Sequence, residues 1–332
     1  MADPRRSVSL KAGPMTIDLS PVEQPIQSTL PYHLMPRGDD RTARWWLPLS
    51  TLGVAAGLYV AMLVVAFLVA LVGVFVLPAS WAPSEMLEDP RNPMDLLLML
   101  GLIVLMLPAA ILGSRWGGGM PGVIHSIAGR IRWRLLLRAA VVVIPLFAMV
   151  YTIDFVVAPP ADFSWPSADG RILAVFVIIL LLTPLQCAAE EYAFRALPQQ
   201  MFGTWLRSPL WGILVPVPLF MIGHGYDWVG QIGIAVFAIC MGFLVWKSGG
   251  LELAIVVHTG NNLILFLLAP LSPSSLGQMT VTPGVMLMSV ALTLGVTTGL
   301  TWWISRSRGL GWFEPLRSLP VTKEADDTSV PR

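Results

Sequence analysis

The sequence predicts an all-α protein, a polytopic membrane helix bundle of about eight transmembrane helices with both termini cytoplasmic. Three observations carry that prediction. Charged residues make up 12% of the chain against roughly 25% in an ordinary soluble protein, and mean hydropathy is +0.71. Eight stretches are apolar for about the 20 residues that a helix needs to cross the hydrocarbon. Lysine and arginine gather in alternate connections, the asymmetry that orients membrane proteins. The net charge of +1 conceals this ordering and carries no information about topology.

The expected spans lie near 47–77, 94–113, 136–157, 171–193, 209–225, 228–246, 251–269 and 284–304. The first is longer than a perpendicular crossing requires, so it is expected to tilt or to emerge from the surface. Trp45, Trp46, Trp81, Trp228, Trp246, Trp302 and Trp303 stand near span ends, where amphipathic rings meet the headgroups.

Charge counting tests this parse independently of hydropathy. The amino tail carries Arg5, Arg6, Lys11, Arg37, Arg41 and Arg44, and the second-to-third connection carries Arg115, Arg130, Arg132 and Arg134, with Arg138 just beyond. Arg195 and Arg207 follow the fourth span, Lys247 the sixth, and Arg306, Arg308, Arg317, Lys323 and Arg332 the last. The opposite connections offer Arg91 and, at a helix edge, Arg171. An even number of spans with both tails on the positive side satisfies the rule, whereas the wrong parity scatters the charges.

Residues 1–43 are polar and rich in Pro, Arg and Asp, and lack the pattern of a cleaved signal peptide. They read as a disordered cytoplasmic tail before a membrane domain at 44–308, with 309–332 as a second cytoplasmic tail. Residues 115–135 read as a turn and a basic surface helix lying against anionic lipid. No internal repeat is visible, which weighs against an inverted-repeat transporter. The two cysteines, Cys187 and Cys240, fall inside spans. They offer no disulfide framework or CxxC metal site and read as small packing residues.

The chemistry-bearing residues form three groups. Glu190 and Glu191 stand side by side at the end of the fourth span, although a carboxylate at the centre of a membrane helix costs about 2.5 to 3.5 kcal/mol on insertion scales. Arg195 lies four residues after Glu191, the favourable direction for an intrahelical pair. Glu190, rotated by about 100°, is left without a built-in partner. The structural reading is that both acids pair with arginines and fix the bundle; the functional reading is that desolvated Glu190 serves as a general base. Phe220 and His224 share a face near the end of the fifth span, as do His258 and Asn262 in the seventh. A lone buried His is ordinarily structural. Two intramembrane histidines, an amide and a carboxylate on three helices can activate a water and stabilise an oxyanion.

Glu190-Glu191-xxx-Arg195, Phe220-xxx-His224 and His258-xxx-Asn262, in this order on successive spans, resemble the three motifs of the CPBP family, the CAAX proteases and bacteriocin-processing enzymes also called Abi proteins. The resemblance covers roughly residues 171–268, the motif-bearing core. It implies an intramembrane endopeptidase that hydrolyses a peptide bond of a membrane-associated or lipidated protein or peptide. By the same resemblance Glu190 and His224 are catalytic and activate water, His258 and Asn262 stabilise the oxyanion, and Glu191, Arg195 and Phe220 support the site. The implied location is the cell membrane, and the implied partners are the substrate and the bilayer, with no nucleic acid. Two cofactor readings stay open, none or Zn²⁺, since Glu190, His224 and His258 could supply the three protein ligands of an open zinc site; the metal-free, glutamate-dependent mechanism is preferred to the metallo-type.

Other intramembrane proteases fit less well. HExxH is absent, as is a Gly-x-Ser-Gly ahead of a helical His, and Tyr226-Asp227 finds no GxGD partner in a later span. From a different class, a non-catalytic binding or immunity protein, or a proton-coupled transporter, uses the same residue types. Straight spans place Glu190 and His224 near opposite ends of their helices. Convergence therefore requires breaks at Pro184, Pro216 or Pro218, or a dip of residues 196–212.

Overall fold

The computed structural model describes residues 29–76, 81–120 and 122–318. Their regular structure is helical, with no strand among the described residues beyond the isolated bridges Pro31 to Arg317 and Ser126 to Gly250. In order the helices are α1 (Leu47–Val76), α2 (Pro93–Val104), α3 (Met106–Trp116), α4 (Trp133–Val157), α5 (Gly170–Glu191), α6 (Leu197–Trp205), α7 (Pro209–Leu214), α8 (Val217–Ile222), α9 (Trp228–Ser248), α10 (Glu252–Leu268) and α11 (Pro283–Arg308). Seven helical stretches are long and apolar enough to cross a membrane, which makes this a multi-pass membrane protein.

Proline sets the breaks. Pro108 lacks an N–H, and its ring opposes the carbonyl four residues earlier, at Val104, where α2 ends; α2 and α3 nevertheless run on as one crossing, Pro93–Trp116. Pro198 stands in the same relation to Phe194. Between α5 and α6 the chain rewinds into a π-turn, Tyr192–Ala196, in which Leu197 N–H donates to the Tyr192 carbonyl five residues back. Pro184, by contrast, sits inside an unbroken α5. The fifth expected span, 209–225, differs from the prediction: Pro216 and Pro218 divide it into α7 and α8, and the Pro209–Ile222 stretch is shorter than a crossing helix. Side-chain caps fix the starts of α2, α5, α9 and α11 through Asn92, Asp169, Asp227 and Thr282.

The described ends of the chain lie together on one face. Ser318 N–H donates to the Leu30 carbonyl at 3.0 Å, and Leu30 N–H donates to Ser318 Oγ at 3.2 Å. Lys247, buried at the end of α9, donates through Nζ to the carbonyls of Gly311 at 2.5 Å and Glu314 at 2.7 Å. On the same face Arg132 grips buried Glu252 through Nε at 2.9 Å and Nη2 at 2.6 Å, which ties the start of α4 to the start of α10. The opposite face is laced by Arg91, donating to the carbonyls of Pro270 at 2.8 Å and Ser164 at 2.7 Å. There Asp162 accepts from Ser272 Oγ at 2.6 Å, a bond that with those from Ser274 holds its carboxyl down at about 2.

Three local readings of the sequence change. Of the expected 1–43 tail, residues 1–28 lie outside the described residues, but Tyr32–Gly38 is a 3₁₀ helix. It docks on α6 because Gly203 has no side chain, since a Cβ there would lie 1.6 Å from the His33 carbonyl oxygen. Tyr32 is fully buried and donates to the Ile124 carbonyl at 2.6 Å. His33, which falls within the expected disordered tail, is buried and pairs through Nε2 with the Arg207 carbonyl at 3.0 Å. Residues 117–120 and 122–132 form turns and irregular links and no basic helix, and Arg132 is drawn inward to Glu252.

Removing one partner of a buried ion pair costs about 3 to 5 kcal/mol. Arg132→Ala is therefore expected to lower the thermal unfolding midpoint in detergent markedly, and Arg132→Met combined with Glu252→Leu to recover most of the loss. An unchanged midpoint in the single variant would contradict this reading of the face.

Candidate active site

Glu190 and Glu191 end α5 where the π-turn begins, and both are buried. Burial of two carboxylates demands partners. Glu191 Oε1 accepts from His258 Nδ1 at 2.8 Å and lies 3.4 Å from Arg195 Nη1. The carboxylate can only accept, so Nδ1 of His258 carries the proton. That leaves Nε2, which lies 3.4 Å from Glu190 Oε2 and 3.3 Å from Asn262 Nδ2. Glu190 Oε2 is itself buried without a hydrogen-bond partner.

Aromatic rings hold the second half of the site. Phe220, at the core end of α8, lies under the Arg195 guanidinium, whose Cζ is 4.0 Å from the ring centroid, a cation–π contact. The same ring touches His224 at a centroid separation of 4.5 Å and His258 at 6.3 Å. Phe237 of α9 closes on His258 edge-on at 5.0 Å. His224 follows the end of α8, and its Nδ1 donates to the Phe220 carbonyl at 2.8 Å. A carbonyl cannot donate, so His224 Nε2 is left with an accepting lone pair.

The chain thus brings Glu190, Glu191, Arg195, Phe220, His224, His258 and Asn262 around one centre. The break at Pro216 and Pro218 and the π-turn bridge the distance that straight helices impose. Contacts within the centre differ from simple expectation. Among the described residues no hydrogen bond or ion pair joins Glu190 to His224, and Glu190 meets His258 instead. Glu191, expected to serve Arg195, is shared between Arg195 and His258.

Two contributors went unread in the sequence. Gln186, one turn before Glu190, accepts from Asn262 Nδ2 through Oε1 at 3.3 Å; its signal was a lone polar residue on the same face of an apolar helix. Tyr151 of α4 donates to Asn261 Oδ1 at 2.5 Å, and nothing local to either residue announces that contact.

Among the described residues no three His, Cys, Asp or Glu side chains come together closely enough to hold a metal ion. As arranged, Glu190, His224 and His258 do not form a ligand set.

Fold and site together define a membrane helix bundle with a buried carboxylate–histidine centre. Residues 171–264 match the family model described as type II CAAX prenyl endopeptidase Rce1-like, which is consistent with the CPBP resemblance and supports an intramembrane endopeptidase at the family level. The chain is also 26% identical over 191 residues, 55% of its length, to the protein named "Uncharacterized protein YyaK" of Bacillus subtilis (strain 168). It spans 63% of that relative, less than two thirds. No solved structure matches.

Glu191 carries two contacts and Glu190 one, and the substitutions should separate accordingly. Glu191→Gln weakens the hold on both Arg195 and His258 and is expected to destabilise the bundle by about 3 kcal/mol. Glu190→Gln should stay within about 1 kcal/mol of wild type. Thermal unfolding in one detergent measures both, and equal losses would contradict the division of labour.

Proposed function

We propose that this chain is a CPBP-type intramembrane endopeptidase of the cell membrane, acting on a membrane-associated or lipidated protein or peptide. One observation supports the reading above others: a buried carboxylate oxygen of Glu190 without a hydrogen-bond partner lies 3.4 Å from an imidazole nitrogen whose ring is oriented by a second carboxylate. A desolvated base beside a positioned imidazole is what water activation requires.

In this reading the water is oriented by the lone pair of His224 Nε2 and gives its proton to Glu190. Its oxygen attacks the peptide carbonyl carbon, and the carbonyl oxygen becomes an oxyanion. Glu190 passes the proton to His258 Nε2, and Glu191 steadies the imidazolium through Nδ1–H. The new Nε2–H and the Asn262 amide, no longer needed as donor to that nitrogen, both turn to the oxyanion. As the intermediate collapses the C–N bond breaks, and the proton returns through Glu190 to the leaving amine. Nothing is oxidised or reduced. Arg195 and Phe220 act by position, keeping Glu191 and His224 in place.

The face that carries both described ends also carries most of the arginines, so the positive-inside rule makes it cytoplasmic. The tails at 1–43 and 309–332 then belong to the cytoplasm, and the face laced by Arg91 looks outward.

Membrane fractions of cells producing wild-type protein or Glu190→Gln test the activity. General base catalysis contributes about 10²- to 10⁴-fold. A small set of new peptide termini is therefore expected in wild type, with their rate of formation at least about a hundredfold lower in Glu190→Gln at equal protein level. Identical termini in both would overturn the reading.

A further inference from the structure

The amide of Asn262 is useful only if its N–H groups, and not its carbonyl, face the centre. Asparagine has no intrinsic preference between the two orientations, because the side-chain amide can rotate by 180°. His258 favours one orientation from a single side, and a partner for the carbonyl is needed on the other. We infer that Tyr151 and Asn261, neither of them in the three motifs, supply it: they are positioning residues that hold Asn262 with its N–H groups turned toward His258.

The polarity of the chain follows link by link from Glu191. Its carboxylate only accepts, so His258 Nδ1 donates and His258 Nε2, in the neutral ring, must accept. The group 3.3 Å from Nε2 is therefore the Nδ2 amide of Asn262, acting as donor. The second N–H of that amide goes to Gln186 Oε1 at 3.3 Å. Asn262 Oδ1 then points away, and it accepts from Asn261 Nδ2 at 2.9 Å. With its donor so used, Asn261 presents Oδ1 to Tyr151, whose hydroxyl supplies the proton at 2.5 Å. Reversing Asn262 sets its Oδ1 against Gln186 Oε1, acceptor against acceptor, and its Nδ2 against Asn261 Nδ2, donor against donor, unless that amide reverses as well. A reversed Asn261 would demand that Tyr151 accept instead of donate.

Packing makes the first link possible. Gly260 lets α4 and α10 approach, since a Cβ there would lie 2.9 Å from Cδ2 of Phe147. Tyr151, one turn beyond Phe147 on the same face of α4, is brought to Asn261 by that approach, and it is buried. The catalytic consequence of the relay rests on the hydrolase reading; the geometry of the amide does not.

The two can be tested apart. The chain contains three asparagines, Asn92, Asn261 and Asn262, so asparagine labelled with ¹⁵N in the side chain gives three amide signals from the full-length protein in lipid nanodiscs. Tyr151→Phe removes one hydroxyl and keeps the ring packing. In that variant the Asn261 and Asn262 signals are expected to shift together and to lose protection from solvent or gain a second conformer, while Asn92, whose amide donates to the Ala82 carbonyl, stays unmoved. Asn261→Leu should disturb Asn262 in the same way. An unaltered Asn262 signal in both variants overturns the relay.

Against a substrate identified by its Glu190-dependent termini, Tyr151→Phe should lower kcat about fivefold, the worth of one neutral hydrogen bond, with KM unchanged. A raised KM at full kcat, or wild-type turnover beside disturbed amides, would overturn the catalytic role. A wild-type protein that cleaves nothing would remove the hydrolase reading while the amide signals still decide the relay.

Discussion

The contact between Glu191 and His258, 2.8 Å long and sealed from solvent, is the interaction on which the remaining geometry depends. A carboxylate at this depth costs several kcal/mol unless charge and hydrogen bonds compensate it, and Glu191 obtains both, from Arg195 and from the imidazole. The contact also does chemical sorting. By taking Nδ1–H it fixes the tautomer of His258 and turns Nε2 toward Glu190, in the way that carboxylate–imidazole pairs orient rings in enzyme sites generally. Adjacent glutamates thereby receive different duties. Both keep a buried Oε2 without a hydrogen bond, but Glu191 is held on two sides through Oε1, whereas Glu190 faces only His258 Nε2.

The architecture reads as the means of protecting that contact. Helices α5 and α10 carry its two halves, and both are anchored away from it. His125 reaches toward both: its ring meets the Tyr192 hydroxyl beside Glu191, and its carbonyl accepts from Leu251 N–H at 3.1 Å at the head of α10. The Arg132–Glu252 pair reinforces the same corner. On the opposite face Arg91 joins the loops beyond α1, α4 and α10. Loops restrained at both ends of the bundle leave helix breaks at the π-turn and at Pro216 to bring the side chains together, in a membrane where broken backbone is tolerated when it is buried or lines a cavity.

Much of this was legible in the residues. Hydrophobic length located the crossing helices within a few residues of their bounds, because twenty apolar residues in a row have few other fates. Three motif pairs at four-residue spacing announced which side chains share helix faces. Hydropathy alone misses the break in the fifth span, because it does not register that Pro216 and Pro218 each remove a backbone donor; the prolines themselves, with the separation of Glu190 from His224 along straight helices, signal it. The amino-terminal segment was misjudged because the polarity of its residues hides one Tyr and one His whose burial depends on Gly203, some 170 positions away. For the same reason the partnership of Glu190 with His258 could not be read locally: it is set by how α10 crosses α5, and helix spacing carries no information about crossing.

The central claim is that Glu190, His224 and His258 address one water. A structure of the protein in a lipid nanodisc, at a resolution that shows ordered solvent, tests it most directly. The account predicts a water within hydrogen-bond reach of both Glu190 Oε2 and His224 Nε2, with His258 still held by Glu191, because a base acts in contact or through a single water. His224 turned away toward lipid, more than about 10 Å from Glu190 with no water between them, would contradict it.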